Sequence, residues 1–288
     1  MSASSDPSGA GRAPGRPRPA GSPLGGPAHE SVGWGAPGPN IWAVTSGKGG
    51  VGKTFISANL AAALARGGRK VLVLDADLGL ANLDVVLNLF PKITLHDVFT
   101  GKSTLADAIL PAPGGFSVLL AGSGMVEYSR MTPEVRDQLQ AVIEEVAPRF
   151  DTVLLDTGAG ISDVVLYTVS LAGEVLVVAT PEPTSLTDAY ATIKVLATTQ
   201  GRRKINLVVN QTRRMGEARS VRLQLQQVID RYVNPTLDSP IRLELLGEVP
   251  ADPAVRDAVQ RRQLLLEHLP GAPAAMALLA VAAKFPAP

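Results

Sequence analysis

From residue 41 onward, short and nearly continuous apolar runs alternate with longer stretches of helical periodicity. Runs rich in Val, Leu and Ile at 41–46, 70–75, 116–121, 151–156, 174–180, 204–210 and 243–249 are predicted strands. Most lack strict apolar/polar alternation, as expected of strands covered on both faces. Helical patterns lie between them at 53–66, 133–146, 184–199, 216–232 and 253–267, with a last one at 274–284. Pro133 and Pro253 stand at first-turn positions behind Thr132 and Asp252, which are suited to cap them. The alternation predicts one doubly wound α/β domain over 41–288 with a mostly parallel sheet. Ligands of such sheets bind beyond the carboxyl ends of the strands.

Composition sharpens this picture. The chain has 288 residues, 45% of them apolar but only 12 aromatic, so its core is built from small and branched aliphatic side chains. It has no cysteine, which removes disulfides, thiolate metal sites, iron-sulfur clusters and cysteine nucleophiles. His29, His96 and His268 are scattered, an arrangement that argues against a catalytic zinc. The longest apolar run, 274–283, is too short for the roughly 18–20 residues of a membrane-spanning helix, so a soluble protein is expected. Residues 1–40 hold 8 Pro and 9 Gly with few large apolar side chains, and are expected to form a disordered arm without a secretory signal. Beyond that arm 24 basic residues face 24 acidic ones, a balance that disfavours binding nucleic acid through its phosphates.

The candidate chemistry begins where the first strand ends. Gly47-Lys48-Gly49-Gly50-Val51-Gly52-Lys53-Thr54 fits the phosphate-loop pattern at every fixed position, between a predicted strand and a predicted helix. Glycines let successive N–H groups converge on a phosphate, and the helix adds its positive N-terminal end. Lys53 is placed to reach the β and γ phosphates of a nucleotide, and the Thr54 hydroxyl to ligate Mg²⁺. Asp75 and Asp77 follow the second predicted strand and Asp156 the fourth. Carboxylates there can hold a metal-bound water or orient an attacking one, while Gly158 and Gly160 allow backbone N–H groups close to a γ-phosphate. Asn210 ends the sixth strand with a side chain able to read an adenine edge or simply to form a turn. Asp252 follows the seventh.

A second lysine inside the loop, Lys48, narrows the assignment: Lys48 to Thr54 resembles the deviant Walker A loop of the MinD/ParA group of dimeric ATPases. The resemblance covers about residues 41–285 and implies a P-loop NTPase fold of the SIMIBI type, with ATP and Mg²⁺ as cofactors. It implies that Lys48 crosses to a partner subunit's phosphates in an ATP-dependent homodimer and that Asp77 orients the hydrolytic water. In the same way Asp75 supports the Mg²⁺ site, Asp156 contacts Mg²⁺ through water, and Asn210 and the turn at Asp252 border the base. Asp252 also suits a plain helix cap. The runs Gly79-Leu80-Ala81-Asn82-Leu83-Asp84 and Pro181 to Ala191 resemble the FlhG/FleN branch, the flagellar-number ATPases.

For function, the resemblance implies a cytoplasmic ATPase switch, with recruitment to the cell pole left open. It acts on flagellar number through a flagellar transcription activator or an SRP-like flagellar GTPase; division-site (MinD-like) or DNA-partitioning (ParA-like) ATPases are the alternatives. Two departures are visible. Residues 1–40 contain no Asp-Gln-Ala tripeptide of the kind that activates the GTPase partner, and the last helix has no basic face of the membrane-targeting kind. Arg213, Arg214, Arg219 and Arg222 form either an interaction face or the solvated side of a helix.

Overall fold

The first predicted strand forms β1 (Asn40–Ser46) and passes through the glycine-rich loop directly into α1 (Lys53–Arg66). The structure, a computed structural model, describes Met1 and residues 40–79, 81–122 and 130–287. The expected Pro/Gly-rich arm thus falls almost wholly outside the described residues, as does Leu80. By internal packing the chain divides into residues 1–35 and 36–288, and every element below belongs to the second unit.

After α1 come β2 (Val71–Ala76), three short helices α2 (Leu83–Leu87), α3 (Leu95–Phe99) and α4 (Leu105–Ala108), and strands β3 (Ile109–Pro111) and β4 (Ser117–Leu119). The chain continues through α5 (Pro133–Val146), β5 (Thr152–Ala159), α6 (Asp163–Ser170), β6 (Glu174–Ala179), α7 (Pro183–Thr199) and β7 (Lys204–Thr212). Then follow α8 (Glu217–Tyr232), β8 (Arg242–Pro250), α9 (Pro253–Gln260), α10 (Leu265–His268) and α11 (Pro273–Ala282). Strand order is β3-β4-β2-β5-β1-β6-β7-β8, parallel throughout except for β3 against β4. From β1 the chain winds to β2 on one side and later to β6 on the other, so the switch in winding falls at the glycine-rich loop.

Along β1, Ile41 and Ala43 enter one apolar layer, shared with α5 to α8, while Trp42 and Val44 enter the other, shared with α1, α10 and α11. This two-sided burial explains why the strands read as continuous apolar runs. The final apolar helix is a packed one: Ala274, Ala275, Leu278 and Val281 are buried, and Gly247 lets α11 close onto β8. Among the described residues no helix is long and apolar enough to cross a membrane. Thr132 and Asp252 cap α5 and α9, accepting from Val135 N (3.4 Å) and Ala254 N (2.9 Å).

Two features differ from expectation. The helix expected over 253–267 is broken into α9 and α10 at Arg262, whose φ is +54°. Three consecutive leucines beyond the break, 264–266, are all buried, Leu264 just before α10 and Leu265 and Leu266 within it. The short edge strand β3 and helices α2, α3, α4 and α6 carry no long periodic signal. Local caps help define three of the helices: the Thr94–Asp97 capping box, Thr104 and Ser162. At the break, the buried Asn59 of α1 accepts from Leu266 N (3.2 Å) through Oδ1. Asn59→Ala leaves that amide unpaired and should lower stability by about 1–3 kcal/mol in urea unfolding. An unchanged midpoint would show that the clasp contributes nothing.

Candidate functional site

The phosphate loop is held from two sides. A Cβ on Gly47 would lie 2.1 Å from the Asp188 carbonyl carbon and oxygen, so the loop's first glycine lets its backbone press directly on α7. On the other side the Val51 carbonyl accepts from Asn210 Nδ2 (2.8 Å), while Asn210 Oδ1 accepts from Gln211 N (2.9 Å). Gly52 has φ +95°, and a Cβ there would meet Asn210 Nδ2 at 2.5 Å. No side chain caps the start of α1, leaving its first-turn N–H groups as donors toward the loop. Gly49 and Gly50 are exposed at the tip. This is an anion cradle at a helix N-terminus.

Lys48 leaves the loop and returns to its own chain, donating to Glu182 Oε2 (3.3 Å) and Thr184 Oγ1 (3.1 Å) at the start of α7. Both ionic partners are substantially exposed, 40% and 61%, so the pair is worth at most about 1 kcal/mol and is readily exchanged.

Parallel pairing of β2 with β5 sets Asp75 beside Asp156. Both are almost fully buried. Asp75 accepts from Asp77 N (3.3 Å) through Oδ1, and from Asn82 N (3.2 Å) and Leu83 N (3.1 Å) through Oδ2, so it fixes the path from β2 into α2. Asp156 accepts from Ser57 Oγ (2.8 Å) and from the Thr54 side chain. Burial, then the neighbouring Asp156, pushes the Asp75 carboxyl up to about 8. Burial likewise lifts Asp156 to about 6, against the hydrogen bonds of Thr54 and Ser57 and the charge of Lys53. Burial lowers the Lys53 ammonium, opposed by Asp156 and Asp77. The half-buried Asp77 lies over β5: its Oδ1 is 3.3 Å from the position of a Cβ on Gly158.

Two neighbouring carboxyls and a lysine, each displaced by burial toward neutrality, fit a site built to share a divalent cation and a polyphosphate. Among the described residues no three His, Asp or Glu side chains assemble a metal cage. Mg²⁺ characteristically takes few protein ligands beside phosphate oxygens and water. Thr54 and Asp156 are the side chains that would hold it, with Asp75 behind them.

Two of the expected contacts look different in place. The Gly160 N–H, expected to face a γ-phosphate, donates to Ser46 O (2.8 Å), because Gly160 bends back at φ +88° across the end of β1. Both Asp252 oxygens are taken by backbone amides, of Ala254 (2.9 Å) and Ala274 (3.0 Å), making it a clasp between the starts of α9 and α11. Ser57, the Glu182–Thr184 tether and the bracing of the loop by Asn210 are not foreseen by the motifs. Their partners lie 99 to 159 residues away along the chain.

A parallel sheet whose winding switches at a two-lysine phosphate loop defines a nucleotide-binding α/β protein. The chain belongs to the CobQ/CobB/MinD/ParA nucleotide binding domain family, whose model matches residues 42–266. It is similar to the antiactivator FleN of Pseudomonas aeruginosa, 43% identical over 244 residues that cover 85% of each chain. It is also similar to the flagellum site-determining protein YlxH of Helicobacter pylori, 33% identical over 231 residues, 79% of this chain and 75% of that one. Among solved structures it resembles the septum site-determining protein MinD complexed with Mg-ADP from Pyrococcus horikoshii. That likeness has a TM-score of 0.67 at 29% identity and covers 84% of this chain and 94% of that one.

Replacing Asn210 with Ala strands the Val51 carbonyl and the Gln211 amide. It should cost about 1–3 kcal/mol in denaturant unfolding and weaken nucleotide binding, read by calorimetry. Wild-type values for both would remove Asn210 as the brace. A second expectation concerns pH. Asp75 and Asp156 titrate higher in the fold than the ordinary 3.8, so protonation favours the folded state. The associated stability is full below about 4 and is lost as the pH climbs through about 6 and 8. The melting temperature of the nucleotide-free, metal-free protein should therefore fall between about pH 5 and 8.5, and Asp75→Asn should remove most of the fall above pH 6. A wild-type profile that rises over this range contradicts the assignment.

Proposed function

We propose that this protein is an ATP-driven switch that binds Mg-ATP as a homodimer, hydrolyses it slowly and limits flagellar number. The observation that carries the reading is the pair of lysines on one loop: Lys53 beside Asp156 and Asp77, and Lys48 outside, held only by exposed contacts to Glu182 and Thr184. In this reading the loop amides from Gly49 to Thr54 cradle the α and β phosphates and Lys53 reaches the β and γ phosphates. Mg²⁺, when bound, neutralises charge on the β and γ oxygens. Asp77 orients the attacking water at the end of β5, and Thr54 and Asp156 keep the metal side of the site in place. Lys48 exchanges Glu182 and Thr184 for the partner subunit's phosphates. Gly160 would have to release Ser46 O for its amide to face the γ-phosphate. Asn210 braces the loop and borders the base, and Asp252 shapes the far wall through the starts of α9 and α11.

Similarity to an antiactivator and to a flagellum site-determining protein supports the flagellar role. Of the two partner classes, a flagellar transcription activator is preferred over an SRP-like GTPase, because the relative at 43% identity is named an antiactivator. The protein acts in the cytoplasm in this reading.

Asp77→Ala should keep nucleotide binding while phosphate release falls by about a hundredfold or more. Lys53→Ala should instead weaken binding itself. Equal turnover in the Asp77 variant removes that residue from its role. A strain lacking the gene should be hyperflagellated. Normal flagellation with a defect in septum placement or plasmid retention would move the assignment to a MinD-like or ParA-like role and leave the ATPase mechanism intact.

A further inference from the structure

The start of α8 carries a surface that the nucleotide site does not use. Arg213, Arg214 and Arg219 are exposed and Arg222 is half-buried. Among the described residues their side chains make no hydrogen bond or ion pair. The two carboxylates next to them are engaged by backbone amides, Glu217 in the wall of the groove described below. Glu217 accepts from Arg213 N (2.7 Å), and Glu248 of β8 accepts from Gly216 N (2.8 Å) and Ala218 N (3.1 Å). Those bonds cap the helix and fix the turn before it, and among the described residues none of the four guanidiniums is in an ion pair.

Apolar side chains lie among them. Met215 is 99% exposed and Leu223 50%, and the spacing of 215, 219, 222 and 223 sets them on one side of the helix and its entry turn. Beside Met215 a groove of about 360 Å³ runs between α8 and Pro181. We infer that this face is a docking site for an acidic protein segment bearing at least one apolar side chain, which seats beside Met215 while its carboxylates pair with the arginines. Guanidiniums pair bidentately with carboxylates. An exposed thioether and a leucine add nothing to a phosphate backbone, which favours a protein segment over nucleic acid. Pro181, which lines this groove, immediately precedes Glu182, the partner of Lys48. The inference gives the surface and the chemistry of the partner proposed above, and rests on that reading for its biology.

The test uses the full chain and a fluorescein-labelled peptide of about 14 residues with Glu and Leu at helical spacing, read by anisotropy at about 150 mM salt. Its controls are a Lys/Leu peptide of the same pattern and a duplex DNA of matched charge. The Glu/Leu peptide should bind at least about tenfold more tightly than either control, and Arg214→Glu with Arg219→Glu should abolish that difference. Met215→Ser should weaken it about threefold or more. The charge-neutral pair Arg214→Gln with Arg219→Gln serves if the reversal does not fold. ATP turnover should stay at the wild-type value in all these variants, since none of the three positions touches the phosphate loop. Equal binding by wild type and the charge variants, or tighter binding of DNA than of the Glu/Leu peptide, overturns the docking site. Either result with turnover intact leaves the ATPase switch standing, whereas a failed switch would appear in the Asp77 and deletion experiments.

Discussion

Backbone pressed on backbone is the constraint from which the site follows. Gly47 sits so close to the Asp188 carbonyl that any side chain there would displace α7, and on the opposite side Asn210 holds Val51 by its carbonyl. Wedged in this way, the loop has little freedom of its own, and groups attached to it are placed by two distant parts of the sheet. Lys53 is set inward toward Asp156, and Lys48 outward onto the first turn of α7. The same contact makes α7 the element that first feels a change in the loop.

Electrostatics explains why so costly an arrangement is kept. Burying two carboxyls side by side disfavours their charges, as the upward displacement of Asp75 and Asp156 records. The site answers with hydrogen bonds: three backbone amides on Asp75, and the Ser57 and Thr54 hydroxyls on Asp156. A cation and a polyphosphate would satisfy the same groups more fully. Because the Asp75 amides come from the entry to α2, satisfaction of the site and the path of that segment are one problem.

Much of this was legible in the chain. The loop motif fixes the junction of β1 and α1, and seven strands are predicted, most plainly β2, β5 and β6, whose burial on both faces leaves continuous apolar runs. The short elements β3 and α2 to α4, three to five residues each, leave no periodic trace; their caps and packing define them. The break at Arg262 was hidden because the residues on either side of it fit one helical pattern, and only the left-handed backbone at that position divides α9 from α10. At the site, motif residues could be named from spacing, but their working partners could not. Glu182 and Thr184 lie 134 and 136 residues from Lys48, and local pattern carries no information over that separation. Asp252 shows the converse: one position suited both a helix cap and a pocket wall, and its two oxygens are occupied by backbone amides.

The exposed tether of Lys48 is weak enough to be exchanged, and in the proposed switch its exchange across a subunit boundary is the step that couples nucleotide to assembly. Light scattering on the Asp77→Ala protein, which holds ATP without consuming it, addresses that step most directly. The account predicts a dimer with Mg-ATP and a monomer with Mg-ADP at about 10–50 µM, and a monomer in both when Lys48→Ala is added while nucleotide binding persists. A monomer with Mg-ATP at those concentrations, or a dimer that survives Lys48→Ala, would contradict it.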